Sequence, residues 1–309
     1  MSRQQELALS PGGRLRQLLA TGKTLICPGV YDGFSARMAL TVGFECLYMT
    51  GAGVSMSRIG MPDIGLVTQT EMVDTAGMIA NIDPKTPLIA DADTGYGTAV
   101  NVARTVERYI TVGVAGFHLE DQVVTKRCGH LNGKECVGLS EYLSRIKAAV
   151  ETRERRKSDI VIIARTDSLA THGLDEALYR LKEAVKVGAD VVFLEAITTK
   201  AQLETYCDAF RGTGVATLYN RVQGSHGYKI TPKEAEQYGL GIMLYPASCL
   251  VPAYTGITSA LQKLRMGVEE ERSERVAPLE IFRVCGMDEI QEREQGVNDW
   301  ARAFKKDSE

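Results

Sequence analysis

No stretch of this chain stays apolar over the ~20 residues that a membrane-spanning helix requires, and the polar first 13 residues lack the apolar core of a secretion signal. A charge of one sign is missing too. The formal net charge of −3 gives no general attraction to nucleic acid or to an anionic membrane surface, so neither is expected as a partner. The seven cysteines (Cys27, Cys46, Cys128, Cys136, Cys207, Cys249 and Cys285) form an odd, scattered set. With no CxxC pair and no Cys/His pair at zinc spacing, they argue against a structural metal or a disulfide framework and for a reducing compartment. The C-terminal Asp307-Ser308-Glu309 is no peroxisomal address, so the cytosol is the expected location. No low-complexity segment or interdomain linker interrupts the 309 residues.

What is present is a soluble globular composition, 44% hydrophobic and 24% charged. Eight apolar runs, at 24–28, 46–50, 87–91, 116–120, 160–164, 191–194, 215–218 and 241–244, are each too short for a helix. Helical patterns separate them at 33–42, 69–80, 101–112, 141–156, 174–187, 200–210 and 232–238, with a short helix at 14–22 before the first and one at 249–266 after the last. Continuously apolar strands are buried on both faces, as in parallel sheets. Eight such units predict an α/β fold of the (β/α)8 barrel type, with a doubly wound open sheet as the alternative. The chain is expected to be one barrel domain, 14–266, with a C-terminal helical extension, 267–309. That extension reads as a charged hinge at 269–276 and a helical docking or oligomer-contact arm at 279–306.

Barrel enzymes place their chemistry at the C-terminal ends of the strands. Those ends carry Tyr48, Asp91 and Asp93, Glu120, Arg165 and Asp167, Glu195, Asn220 and, just beyond the last strand, Ser248. Converging carboxylates repel unless a cation neutralises them. Hard oxygen donors of this kind suit Mg²⁺ or Mn²⁺. Arg165 suits a bidentate substrate carboxylate, or an internal pair with Asp167. Glu195 reads equally as a ligand group or a salt-bridge partner, Asn220 as a site or a turn residue, and Ser248 as a site residue or a helix cap. His118 and His172 have no partner pattern and are read as structural. Between the fourth strand and the next helix, Lys126-Arg127-Cys128-Gly129-His130 gathers a thiol, an imidazole and two cations. Cationic neighbours favour a reactive thiol over a small buried hydrophobe.

Taken together, Pro28-Gly29-Val30-Tyr31-Asp32, Tyr48-Met49-Thr50-Gly51, Pro62-Asp63, Asp91-Ala92-Asp93-Thr94-Gly95-Tyr96-Gly97, His118-Leu119-Glu120-Asp121-Gln122, the Cys128 loop, Ala164-Arg165-Thr166-Asp167, Glu195-Ala196 and Asn220 resemble the isocitrate lyase / phosphoenolpyruvate mutase superfamily. The Cys-Gly-His element is similar to that of its carbon–carbon lyases, which keep it where the mutases replace it. The resemblance implies a metal held by Asp91 with Asp63, Asp93 and Glu120, directly or through water. It implies substrate binding by Thr50, Gly51, Ala52, Arg165, Glu195, Asn220 and Ser248, and a gating loop at 122–138 that carries Cys128 as the acid. Tyr48 and His130 would join Cys128, Arg165 and Ser248 as catalytic residues. Ser168 departs from the usual Ala after Arg-Thr-Asp. The expected reaction is cleavage of hydrated oxaloacetate to oxalate and acetate. The 244–250 stretch, with the loop, looks more like that acetylhydrolase branch than like bacterial methylisocitrate lyases. The alternative is cleavage of a 2-hydroxy diacid of the dimethylmalate or methylisocitrate type. An inactive scaffold or sensor barrel is the alternative of another class. A helix-swapped homo-oligomer, a dimer of dimers, is the assembly implied, with a di- or tricarboxylate as the small-molecule partner.

Overall fold

The computed structural model of the chain describes residues 9–129, 133–268 and 276–307. Its core is a closed barrel of eight parallel strands in sequence order: β1 (Leu25–Val30), β2 (Leu47–Met49), β3 (Leu88–Asp91), β4 (Gly116–Glu120), β5 (Val161–Thr166), β6 (Val191–Leu194), β7 (Ala216–Asn220) and β8 (Ile242–Tyr245). The seam is closed by β1 against β8, with Leu25 opposite Ile242 and Pro28 opposite Tyr245. The (β/α)8 expectation holds, and the open-sheet alternative falls away.

The bottom of the barrel is plugged. Helix α1 (Pro11–Leu19) starts at a Ser10 cap. It sends Leu15 and Leu18 against Leu25, Cys27, Ile89, Val161 and Ile163 of the strands. Each fully buried apolar side chain of this kind contributes about 1.5–3 kcal/mol. With that end closed, the polar strand ends are left at the opposite mouth.

The surrounding helices begin where capping chemistry permits. Helix α2 (Gly33–Val42) opens on a reciprocal Asp32/Ser35 capping box. After β2 comes a short α3 (Gly51–Val54), capped by Thr50 and running into a π-turn, Ser55–Ile59, where the sequence suggested only a small-residue turn. Then follow α4 (Gln69–Ala80), α5 (Ala99–Val112) and α6 (Leu139–Arg155). An unanticipated single turn, α7 (Leu169–His172), precedes α8 (Leu174–Val187); α9 (Lys200–Phe210) and α10 (Pro232–Tyr238) complete the ring up to β8. Thr199 with Gln202, and Thr231 with Glu234, cap α9 and α10 in the same reciprocal way.

The chain divides into two compact units, Met1–Pro252 and Ala253–Glu309. The division falls inside α11 (Leu250–Met266), ahead of the 266/267 boundary expected from the sequence. In the second unit the single helix expected at 279–306 is two, α12 (Pro278–Val284) and α13 (Met287–Asp307), broken at Cys285-Gly286 where Gly286 takes φ +89°. The charged hinge lies mostly outside the described residues. Tyr254, Ile257, Leu261, Leu264, Trp300 and Phe304 are exposed apolar side chains of this unit. Among the described residues no helix is long and apolar enough to cross a membrane. All seven cysteines are thiols.

Candidate active site

The end of β3 brings the first carboxylates to the mouth. Asp91 is buried, and its Oδ1 accepts the Asp93 N–H at 2.8 Å while its Oδ2 accepts the Gly51 N–H at 3.2 Å. A Cβ at Gly51 would collide with that carboxylate, so only glycine lets the α3 terminus approach so closely. Asp93 sits at φ +48°, in the left-handed region that Asp tolerates better than most side chains. Burial pushes its carboxyl up to about 7, although Lys126 opposes the shift. Burial likewise raises Asp91 and, strongly, Glu120.

Two buried cations enter this cluster. The Lys126 ammonium lies 2.5 Å from Asp63 Oδ1 and 2.5 Å from Asp93 Oδ1. Burial works against that charge, but Asp93, Glu120, Asp63 and Asp91 outweigh it and hold the lysine well above its ordinary range. Arg165, at the end of β5, grips Asp167 with two bonds of 2.9 and 3.1 Å and places Nη1 3.0 Å from Glu120 Oε2. The internal Arg165–Asp167 pair is therefore present alongside any substrate role. Glu120 Oε1 is buried without a hydrogen-bond partner among the described residues.

A second layer fixes these groups. Asp121 accepts the Asp167 N–H at 2.8 Å and the Thr166 hydroxyl at 2.6 Å, and pairs with Arg180 at 3.1 Å. Ser168 has its hydroxyl 2.7 Å from that of Thr166, so the departure from alanine extends this network rather than the cavity. Tyr48 is joined at 2.9 Å to Nε2 of His118, a residue the sequence left structural; its Nδ1 stands 3.6 Å from Asp91 Oδ1, beyond hydrogen-bond reach. Burial, aided by Arg165 and Lys126, holds the His118 pKa well below its ordinary value, so the imidazole is uncharged. Burial and the nearby Asp91 keep Tyr48 a neutral phenol.

The loop after β4 closes over this mouth. The Gln122 side chain binds the Arg127 N–H and C=O at 3.0 and 2.9 Å, and the Cys128 N–H donates to the Asp63 carbonyl at 3.1 Å. A Cβ on Gly129 would lie 2.6 Å from Arg165 Nη2 and 2.7 Å from Glu195 Cγ. A cavity of about 170 Å³ remains below, bordered by Tyr48, Thr50, Ala52, Asp63, Asp91, Cys128, Gly129, Arg165, Glu195 and Asn220, with an apolar wall of Val222, Pro246, Ala247 and Leu250. That is well under the roughly 300–1,000 Å³ of sites for drug-sized ligands, so the space suits a small acid.

Most residues singled out from the sequence meet in this cavity or directly beneath it. Glu195 accepts from Asn220 Nδ2 at 3.1 Å, and the Thr50 hydroxyl caps α3. His130 lies outside the described residues. The Ser248 Oγ accepts the Gly29 N–H at 3.0 Å, and Ser248 is not among the residues bordering the cavity. The four carboxylates expected around a metal are divided between two buried cations and open space. Asp63 and Asp93 face Lys126, Glu120 faces Arg165, and the described residues contain no group of three or more Asp, Glu, His or Cys side chains able to cage an ion. Among the described residues, Asp91 alone of the four has no lysine or arginine partner within 4 Å. Sequence reasoning missed His118, Lys126 as a bridge between carboxylates, and the apolar wall, since none of these is announced by local spacing.

Known proteins share this chain's fold and much of its sequence. The phosphoenolpyruvate phosphomutase family profile matches residues 15–265, and the chain belongs to the phosphoenolpyruvate mutase / isocitrate lyase superfamily. It is 41% identical to 2,3-dimethylmalate lyase of Eubacterium barkeri over 79% of this chain and 83% of that one. The solved structure of oxaloacetate acetylhydrolase with the inhibitor 3,3-difluorooxalacetate is similar at 47% identity and a TM-score of 0.90, covering 94% of this chain and 97% of that one. A crystal structure of 2,3-dimethylmalate lyase is similar at 45% identity and TM-score 0.90, covering 94% and 96%.

Proposed function

We propose that this protein cleaves a carbon–carbon bond in a small 2-hydroxy or hydrated 2-oxo diacid, with hydrated oxaloacetate, giving oxalate and acetate, as the substrate. The observation that carries the reading is that Cys128 and Arg165 border one small cavity with Asp91 in its wall. The similarity to oxaloacetate acetylhydrolase at 47% identity supports the substrate.

The residues fit a divalent cation. Buried carboxylates whose pKa values are raised by burial, one of them with an orphaned oxygen, are short of positive charge. Mg²⁺ and Mn²⁺ sites of this type use one or two direct carboxylates and keep several waters. Asp91 would be the direct ligand, with Asp63, Asp93 and Glu120 acting through water. When bound, the ion supplies Lewis-acid stabilisation of charge at the C2 oxygen.

The chain's own residues do the rest. Arg165, with the α3 terminus at Gly51 and Ala52, holds the carboxylate next to C2, and Glu195 with Asn220 orients the far end. Tyr48, a neutral phenol fixed by His118, faces the C2 oxygen. From the C2 oxyanion, the C2–C3 bond breaks as C2 becomes a carbonyl, and its electron pair goes to C3 as a carboxylate-stabilised enolate. Cys128 gives its S–H proton to C3, and the loop keeps bulk water out. His130 is proposed as a further catalytic residue. The exposed apolar side chains of Ala253–Glu309 fit a contact between copies, consistent with a helix-exchanging oligomer. The cytosol is the proposed location.

A second reading is favoured by the wall of Val222, Pro246, Ala247 and Leu250, which suits methyl groups and hence a 2,3-dimethylmalate-type substrate. Turnover of oxaloacetate, 2,3-dimethylmalate and methylisocitrate with Mg²⁺ and with Mn²⁺ separates the two. Oxalate release at the highest kcat/KM is expected. Pyruvate release from dimethylmalate with no oxalate from oxaloacetate overturns it, and no turnover at all returns the chain to a sensor or scaffold. Ser248→Ala adds a control. Because the hydroxyl secures the 246–250 turn, kcat/KM should fall by a similar factor, equivalent to about 1 kcal/mol, for every substrate that turns over. A loss confined to oxaloacetate would restore direct contact with the hydrate.

A further inference from the structure

Cys128 and Gly129 are held from both sides, and the second hold has no part in the account above. On the N-terminal side, the Cys128 N–H is bonded to the Asp63 carbonyl at 3.1 Å, and Lys126 is clipped to Asp63 and Asp93. On the return limb of the loop, the Lys134 ammonium donates to the Gly129 carbonyl and lies 3.6 Å from Asp167 Oδ1. Its side chain is only 4% exposed, although the loop is a surface connection. A buried ammonium is retained only where compensated, and here the compensation among the described residues is one loop carbonyl and one carboxylate. That carboxylate is not idle: Asp167 Oδ1 also accepts from Arg165 Nη2 at 3.1 Å. Asp167 in turn is fixed by its backbone N–H to Asp121 at 2.8 Å. Lys134 thus links the backbone that carries Cys128 to the anchor that aims Arg165.

We infer that Lys134 is a positioning residue for the cleavage: from the loop's return limb it seats the Cys128–Gly129 backbone over the cavity by tying the Gly129 carbonyl to Asp167. The inference rests on the role proposed for Cys128. It does not require Lys134 to touch substrate, and Lys134 is not among the residues bordering the 170 Å³ cavity. Asp167 keeps both bonds to Arg165 without Lys134, so carboxylate binding is preserved. What is lost is the fraction of time the thiol spends in place. Such a residue acts on kcat and leaves KM little changed. A misplacement of about 1 Å at a reacting group costs up to roughly 100-fold.

The test compares Lys134→Met and Lys134→Arg in the full-length protein. For Lys134→Met, kcat falls by roughly 10- to 100-fold at nearly constant KM, and Tm is little changed. Iodoacetamide labels Cys128, followed on its own peptide by mass spectrometry, about tenfold faster than in the parent, as expected from losing a charge-assisted hydrogen bond. Lys134→Arg restores most of both. The inference is overturned if labelling and kcat in Lys134→Met match the parent. It is equally overturned if kcat, KM and Tm deteriorate together without rescue by arginine, which marks a general structural cation. The labelling arm needs no substrate. If labelling follows Lys134 while Cys128→Ser turns over normally, the anchoring stands and the acid assignment of Cys128 is what fails.

Discussion

Asp91→Ala is expected to abolish turnover while leaving the barrel folded. The side chain is buried at the mouth, above the apolar layer of Ile89 and Val161, so its loss opens little of the core. Its two oxygens receive the Asp93 and Gly51 N–H groups, and removing them costs about 1–3 kcal/mol for backbone donors left short of a partner. The larger consequence concerns the cation. Asp63, Asp93 and Glu120 already face Lys126 or Arg165, so none of them can take over as direct ligand without breaking a buried ion pair. Calorimetric titration with Mn²⁺ should show binding to the parent and none to Asp91→Ala, with Tm within a few degrees. Chelator should abolish the parent's activity reversibly. Full activity in excess chelator removes the metal from the account.

Cys128→Ser should lower kcat by roughly 10²–10⁴, the range for losing a positioned general acid. Serine keeps the size but is a far weaker acid. The substitution leaves the Asp63 carbonyl bonded to the residue's own N–H, and Gly129 stays packed on Arg165 and Glu195. Binding of a substrate analogue such as 3,3-difluorooxaloacetate should therefore survive far better than rate. A serine variant within a few-fold of the parent would make Cys128 a packing residue.

The barrel was legible because its local rules agree with its global form. The fourth and sixth strands, and the helices at 33–42, 69–80, 174–187, 200–210 and 232–238, lie where periodicity and flanking residues put them. Helices such as α2 and α9 open on reciprocal side-chain caps that lie within four residues of sequence. The strand-end rule likewise picked out Tyr48, Asp91, Arg165, Glu195 and Asn220, which border the cavity. What stayed hidden depends on partners far apart in the chain. The direction of the Ser248 hydroxyl is set by Gly29 on the neighbouring β1, and the position of the Lys126 ammonium by Asp63 and Asp93. His118 looked like an ordinary strand residue, since its neighbour Tyr48 comes from another strand. The π-turn at Ser55–Ile59 breaks helical spacing without proline or a distinctive composition.

The bond from Gly29 to Ser248 joins residues 219 positions apart and crosses the seam between β1 and β8. On one side of that seam the chain has just begun the barrel, and on the other it has finished it. The entropy of bringing such distant ends together grows slowly with length, by about 0.6 kcal/mol per doubling, but contacts this remote in sequence form late in folding. The cavity wall at Pro246, Ala247 and Leu250 belongs to the turn that this bond secures. A partly folded barrel, even one with most of its strands paired, therefore has no complete cavity. Recovery of activity on refolding reports ring closure, and not the earlier growth of the sheet.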